Sequence, residues 1–293
     1  MKRNHFIKSI IAGGISMSGL SAFNRFTSDL KEQDEPMPVL FIGHGSPMNG
    51  IEDNEFSRRW TTIAKDIPTP TAVLVISAHW FTPGTLITAM DFPRTIHDFG
   101  GFPKELFDVQ YNAPGNPVLA KETASIIHSA HVELDHDWGL DHGTWTIVRH
   151  MYPEANVPVL QLSIDYTKGA QYHYDLAKEI YALRKKGVLI IGSGNMVHNL
   201  RMLAWDKLNE PAFGFDWALT LNEKFKQLIT DGDHQPLIEY EGFGKEGKLA
   251  IPTPEHYLPL LYTLGLKGAN DSISFFNDKA VAGSLTMTSV KIG

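Results

Sequence analysis

Residues 38–47 read PVLFIGHGSP: a short aliphatic run that ends in a histidine, His44, with a glycine on each side. The arrangement returns at Ala72–Trp80, AVLVISAHW, where His79 follows a second apolar run. It returns again at Val188–Leu200, VLIIGSGNMVHNL, where His198 lies beyond a glycine turn. Short β-branched and aliphatic runs bounded by Gly, Pro or Ser read as buried strands. In an open α/β sheet, ligands bind outside the carboxyl ends of the strands. Three such strands would therefore deliver three histidines to one rim. From Met37 onward strand-like and helix-like segments alternate, with no low-complexity run and no dividing linker. This predicts an α/β fold made of one domain, residues 37–293. Its central sheet is mostly parallel or mixed, with helices on both faces and a metal site at the strand C-terminal ends.

The remaining elements follow from spacing. Phe56, Trp60 and Ile63 mark a helix that Pro68 stops, and Ala72–Ser77 and Thr85–Met90 read as strands. Asn116–Ala130 reads as a helix with Pro117 in its first turn; His128 and His131, on or after its last turn, are expected to be solvated. Then come a strand at Pro158–Asp165, an amphipathic helix at Tyr172–Lys186 and a further helix at Phe215–Ile229. Thr253 is read as the cap of a helix that opens at Pro254, ends at Gly265 and carries His256 in its first turn. Pro259 should bend that helix early. Strand-like runs at Ser272–Phe276 and Ser284–Ile292 close the chain.

With 43% hydrophobic and 20% charged residues in 293, the chain has an ample core. A formal charge of -7 argues against nucleic acid, which needs a basic face. The absence of cysteine excludes disulfides, iron–sulfur clusters, thiolate zinc sites and cysteine nucleophiles. A protein metal site must then use His, Asp or Glu, and 13 histidines supply it. Residues 1–36 stand apart. A basic start, a short apolar centre and a polar tail have the build of an export leader, or form a disordered extension. The run RNHFIK is like a twin-arginine signal with Asn4 in place of the second arginine. The apolar part is too short and glycine-rich for a stable membrane span, and both export and a cytoplasmic location stay open.

His44 and His79 share one placement at strand ends, and His256 becomes a candidate ligand beside them. Neutral imidazole nitrogens suit zinc, iron, copper or nickel. The string GSGNMV before His198 has the look of an anion-binding turn that opens a helix, but lacks the third glycine of a dinucleotide fingerprint. In HDWGLDHGTW, Asp141-His142-Gly143 places a loop histidine beside a carboxylate, either for proton transfer near neutral pH or as a turn held by Asx-type hydrogen bonds. His136 and Asp137 are read as supporting the loop, and His5, His150, His173 and His234 as surface or structural. Phe92, Arg94, His97, Phe99 and Phe102 in the loop Asp91–Gly115 offer an aromatic pocket lining, with Arg94 facing a substrate carboxylate or solvent. HExxH, GxSxG, Walker and EF-hand signatures are all missing.

GHGSPM, SAHW, GLDHGTW, GSGNMVHNL and TPEHYLPLLY, in this order, resemble the LigB-type extradiol ring-cleaving dioxygenases, and within them the bacterial and plant 4,5-DOPA dioxygenase group. The resemblance covers Pro38 to Ile292; the N-terminal extension departs from it. It implies metal-binding histidines at His44, His79 and His256. His198 matches a position that is a further ligand or an active-site acid/base, and His142 a histidine behind the ligands that shares the proton chemistry. It implies one divalent metal, Fe(II) for oxygen chemistry, with Zn(II) expected in purified protein because zinc outcompetes iron for nitrogen ligands. The implied partners are a small aromatic diol, DOPA-like, and O₂, and the implied product is a muconic semialdehyde. A zinc hydrolase on the same histidines, or a non-catalytic binding protein on the same scaffold, are the alternatives. Oligomeric state stays open.

Overall fold

The alternation of buried residues along β1 (Val39–Gly43) shows how the molecule is layered. Val39 and Phe41 point into one apolar cluster and Leu40 and Ile42 into another, one on each face of the sheet. In the computed structural model, which describes residues 35–208 and 210–293, an eight-stranded sheet runs in the order β4-β3-β5-β2-β6-β1-β10-β7. Its strands are β1, β2 (Ala72–Thr82), β3 (Thr85–Thr88), β4 (Val132–Asp135), β5 (Val159–Asp165), β6 (Val188–Gly194), β7 (Ile273–Phe276) and β10 (Ser289–Ile292). β8 (Ala280–Val281) and β9 (Leu285–Thr286) form a separate small hairpin. The central strands β5, β2, β6 and β1 are mutually parallel. β10 pairs antiparallel with β1 and β7, and β3 antiparallel with β5, so the sheet is mixed, as expected. The leader reading covers residues 1–36, of which 1–34 lie outside the described ones, and Glu35 and Pro36 belong to no strand or helix.

Helices cover both faces, which is why β1, β2 and β6 are apolar almost without interruption. One cluster gathers Leu176, Phe225 and Leu261 from the helices Ala170–Glu179, Asp216–Asp231 and Leu258–Gly265. The other gathers Trp60 and Ile63 from Glu55–Asp66, and Trp145 and Ile147 from His142–Met151. Among the described residues no helix is long and apolar enough to cross a membrane.

Several elements differ from expectation, each for a local reason. His142 opens the helix His142–Met151 instead of standing in a loop, because the Asp141 carboxylate caps it, accepting from the Thr144 N–H. Thr253 caps nothing: its hydroxyl donates to Glu255, and Tyr257 and Leu258 bond back to Pro254 in a turn. The helix starts only at Leu258, where Pro259, lacking an N–H, suits the first turn and bends nothing. His256 therefore sits in the turn before the helix. The single helix expected at Tyr172–Lys186 is two, Ala170–Glu179 and Ala182–Lys185, parted where Ile180 and Tyr181 tighten to bonds three residues back. The helix after Asn116 stops at Ile126, short of Ala130, and leaves His128 and His131 exposed. The run Ser284–Ile292 divides into β9 and β10 at Met287, whose N–H turns away to Lys279. No helix opens at the GSGN string, since Gly192–Gly194 finish β6, and the anion-binding turn is absent there.

Candidate metal centre

β1, β2 and β6 are neighbours, and their carboxyl ends meet at one rim. His44 is the first residue past β1 and its N–H bonds to the Gly194 carbonyl at the end of β6. His79 lies on β2 within a local expansion. Ile76 pairs with Leu162 and Phe81 with Ile164, so β2 spends five steps where β5 spends two. Such bulges re-aim a side chain, and this one turns His79 toward His44. His256 reaches the rim from the turn before its helix, its carbonyl accepting from Asn195 N–H at 2.9 Å. Gly194 makes this approach possible, because a Cβ there would meet the His256 oxygen at 2.1 Å. Gly143 does the same for the third wall, since a Cβ would fall 2.5 Å from Ser77 Oγ and 2.9 Å from the His79 ring.

The nitrogens of His44, His79 and His256 lie within 4.8 Å of one another. His142 packs on His79 with ring centres 3.8 Å apart, and His198 stacks on His256 at 3.6 Å with rings nearly parallel. All five expected histidines are thus in one cluster, but His198 does not join the converging trio. The hydrogen bonds assign the protons. Ser193 Oγ–H donates to the Gly143 carbonyl at 2.5 Å, so toward His44 Nδ1, 3.0 Å away, it must accept. His44 then carries its proton on Nδ1 and a lone pair on Nε2. His256 Nδ1 likewise faces the Glu255 carboxylate at 3.3 Å, and His79 Nδ1 faces Asp98 at the same distance. The negative Asp98 carboxylate draws the His79 proton to Nδ1, so Nε2 of His79 and Nε2 of His44, 3.1 Å apart, meet lone pair to lone pair. Two lone pairs repel at that range unless a cation takes both. The donor set therefore fits one divalent metal with nitrogen preference.

Electrostatics agree. Burial, then the neighbouring His79 and His256, holds His44 well below the ordinary imidazole range, and burial with His198 does so for His256. Burial and His142 bring His79 down to about 3, and burial brings His198 down to about 4. Neutral imidazoles are the form that binds metal. Burial alone would raise Asp98, yet the His142 hydrogen bond and charge pull it down to about 2.

Phe99 meets His142 edge-on at 5.5 Å and packs with Phe102, so part of the expected aromatic lining is at the site. Phe92 is 82% exposed and lines nothing, and Arg94 Nε donates to the Trp138 carbonyl. His173 bonds the Tyr262 hydroxyl and His150 the Asn49 carbonyl, both structural as expected. Sequence reading missed Asp98, Ser193 and Glu255. The only signal for Asp98 was a carboxylate beside glycines in HDFGG.

The family profile described as the catalytic LigB subunit of aromatic ring-opening dioxygenase matches residues 36–288. The chain belongs to the LigB family. It is 46% identical over 264 residues to the 4,5-DOPA dioxygenase extradiol of Escherichia coli K12, covering 88% of this chain and 95% of that protein. It is 33% identical to the 4,5-DOPA dioxygenase extradiol of Beta vulgaris, covering 88% of this chain and 97% of that one. Among solved structures, an uncharacterized protein of Escherichia coli K12 superposes with a TM-score of 0.76 at 41% identity, over 88% of this chain and 100% of that one. As a LigB protein the chain is an extradiol aromatic ring-opening dioxygenase. This decides against the zinc hydrolase and the non-catalytic scaffold as readings of the histidine site.

Proposed function

We propose that this LigB enzyme cleaves a catechol of the DOPA type to a muconic semialdehyde, with one Fe(II) held by His44, His79 and His256. The observation that carries the reading is the trio of neutral imidazoles whose ring nitrogens converge within 4.8 Å at a strand rim, with Nε2 of His44 and Nε2 of His79 facing each other at 3.1 Å. DOPA as the substrate class rests on the printed activity of the relatives. Bound ferrous iron would supply open positions at which a catecholate and O₂ are held side by side, so that their reaction becomes effectively intramolecular. The overall change needs no external reductant, because both oxygen atoms end in the product and the ring bond beside the diol breaks.

The chain's own residues have three tasks. Ser193, Asp98 and Glu255 face the Nδ1 sides of the ligand rings, which leaves each Nε2 its lone pair for a metal. His142, whose Nδ1 is committed to Asp98 at 2.9 Å, has Nε2 free to accept a catechol proton. His198 is neutral near pH 7 and stacked behind His256, placed to hold a second proton and return it as the ring opens. Its ring lies outside the converging trio, which favours the acid/base role over that of a fourth ligand. Zinc should displace iron during aerobic purification.

The test is oxygen uptake after anaerobic Fe(II) reconstitution, with L-DOPA, catechol and protocatechuate in turn. One O₂ consumed per diol, with a yellow product and L-DOPA preferred, is the expected result. Absence of uptake by protein shown to contain iron would overturn the proposal.

A further inference from the structure

Asp98 makes one contact that a helix start explains and two that it does not. One oxygen, Oδ1, accepts the backbone N–H of His142 at 2.9 Å. The other, Oδ2, lies 2.9 Å from His142 Nδ1 and 3.3 Å from His79 Nδ1. A single carboxylate oxygen thus faces the Nδ1 atoms of two imidazoles whose ring centres are 3.8 Å apart. Its side chain is only 16% exposed, so water competes little for these contacts. The neighbouring carboxylate is occupied quite differently. Asp141 accepts from Ser77 Oγ, Gln161 Nε2 and the Thr144 N–H, and touches no imidazole nitrogen by hydrogen bond.

We propose that Asp98 is a positioning residue that sets the tautomer of His79 and His142 together, and so couples metal binding to proton acceptance. This rests on the reading that His44, His79 and His256 hold the metal. A carboxylate can only accept. The hydrogen bond to Oδ2 puts the His142 proton on Nδ1, and the same negative oxygen 3.3 Å from His79 Nδ1 draws that ring's proton to Nδ1 as well. Nε2 of His79 is left as a lone pair for the metal and Nε2 of His142 as a lone pair for the substrate proton. A hydrogen-bonded carboxylate also raises the basicity of the ring it holds. The arrangement is specific enough to be inverted by one atom. In Asp98→Asn the amide oxygen must stay on the His142 N–H, because only an acceptor satisfies that donor. The amide NH₂ then replaces Oδ2 and donates to both Nδ1 atoms. Both rings then favour the Nε2–H tautomer, so the metal ligand and the base are weakened in one step.

Two measurements test this without turnover. Two-bond ¹H–¹⁵N spectra of the metal-free wild-type protein should show His79 and His142 as Nδ1–H tautomers, and finding either as Nε2–H would overturn the proposal with no variant needed. In Asp98→Asn both signals should invert. Co(II) titration should give one ion per chain in both proteins, bound about 10- to 100-fold more weakly by the variant, with an altered visible spectrum. Unchanged Co(II) affinity in a folded Asp98→Asn would refute the coupling. Two ions per chain in the wild type, with one lost in the variant, would make Asp98 a ligand of a second cation and refute it as well. If iron-loaded wild type consumed no oxygen, the proposed reaction would fail while these results stood.

Discussion

The two ends of the same parallel strands bury polar groups in opposite ways. At the amino ends, Arg184 is fully buried just before β6; its Nε donates to the Met37 carbonyl at 2.7 Å and its Nη1 to the Leu266 carbonyl and to Asp271 at 2.6 Å. Nε and Nη1 there meet acceptors, and the Arg184–Asp271 pair is 0% and 10% exposed. At the carboxyl ends, acceptor faces acceptor: the Nε2 lone pairs of His44 and His79 lie 3.1 Å apart. At the first end the chain itself supplies acceptors for Nε and Nη1 and leaves only Nη2 without a partner; the second is complementary to something the chain does not contain. A fold can carry such local conflict when the surrounding core over-determines it, and conflict of this kind concentrates at functional sites.

The largest effect should come from removing one lone pair of the conflicted end. In His44→Ala, Co(II) binding and oxygen uptake with L-DOPA should both be abolished, while circular dichroism stays that of the wild type. If the variant without metal still opened a catechol ring, the histidine end would not be the reactive one. The converse experiment breaks the paired end. Arg184→Met leaves the Asp271 carboxylate and two carbonyls without their donor, which should cost about 3 kcal/mol of stability in urea. Oxygen uptake per folded molecule should be unchanged. A loss of metal affinity in step with stability would show that the two ends are not separable.

The two ends were also unequally legible. His44, His79 and His198 stood out because each follows an apolar run that marks a strand, although β2 runs on through His79 to Thr82. His256 was a candidate ligand on a mistaken structural basis, since Thr253 and Pro254 have the form of a cap and first turn, whereas Pro259 is the proline that starts the helix. His142 was read into a loop because the cap, Asp141, sits among glycines and aromatics that mask the helical spacing behind it. Asp98 was invisible for a different reason. Its partner His142 is 44 residues away, in contact only because the loop that carries Asp98 meets the start of the helix His142–Met151, and no periodicity records such a meeting. Ser193, inside GSG, looked like part of a glycine turn and is instead the strand residue that orients His44. At the other end Arg184 falls in the last turn of the single helix expected at Tyr172–Lys186, and the break at Ile180 that puts it in a separate short helix is hidden by the amphipathic pattern.

The smallest effect sharpens the comparison at a single atom. Ser193 receives the His44 Nδ1 proton and passes its own to the Gly143 carbonyl, so it holds one ring of the conflicted end where Asp98 holds two. Ser193→Ala removes that acceptor without supplying a donor. The His44 ring is freed to take either tautomer, and only the fraction that keeps Nδ1–H presents a lone pair on Nε2. Metal affinity should therefore fall about tenfold, the lower range for loss of a partner behind a ligand, which is about 1.4 kcal/mol. At saturating Fe(II), turnover should recover, because His142 and Asp98 are untouched and the metal itself selects the competent tautomer. Co(II) titration beside steady-state oxygen uptake at rising Fe(II) measures both. A turnover defect that added iron does not repair would mean that Ser193 acts on the reaction directly, and that the acceptor-facing end is organised by more than the placement of protons on Nδ1.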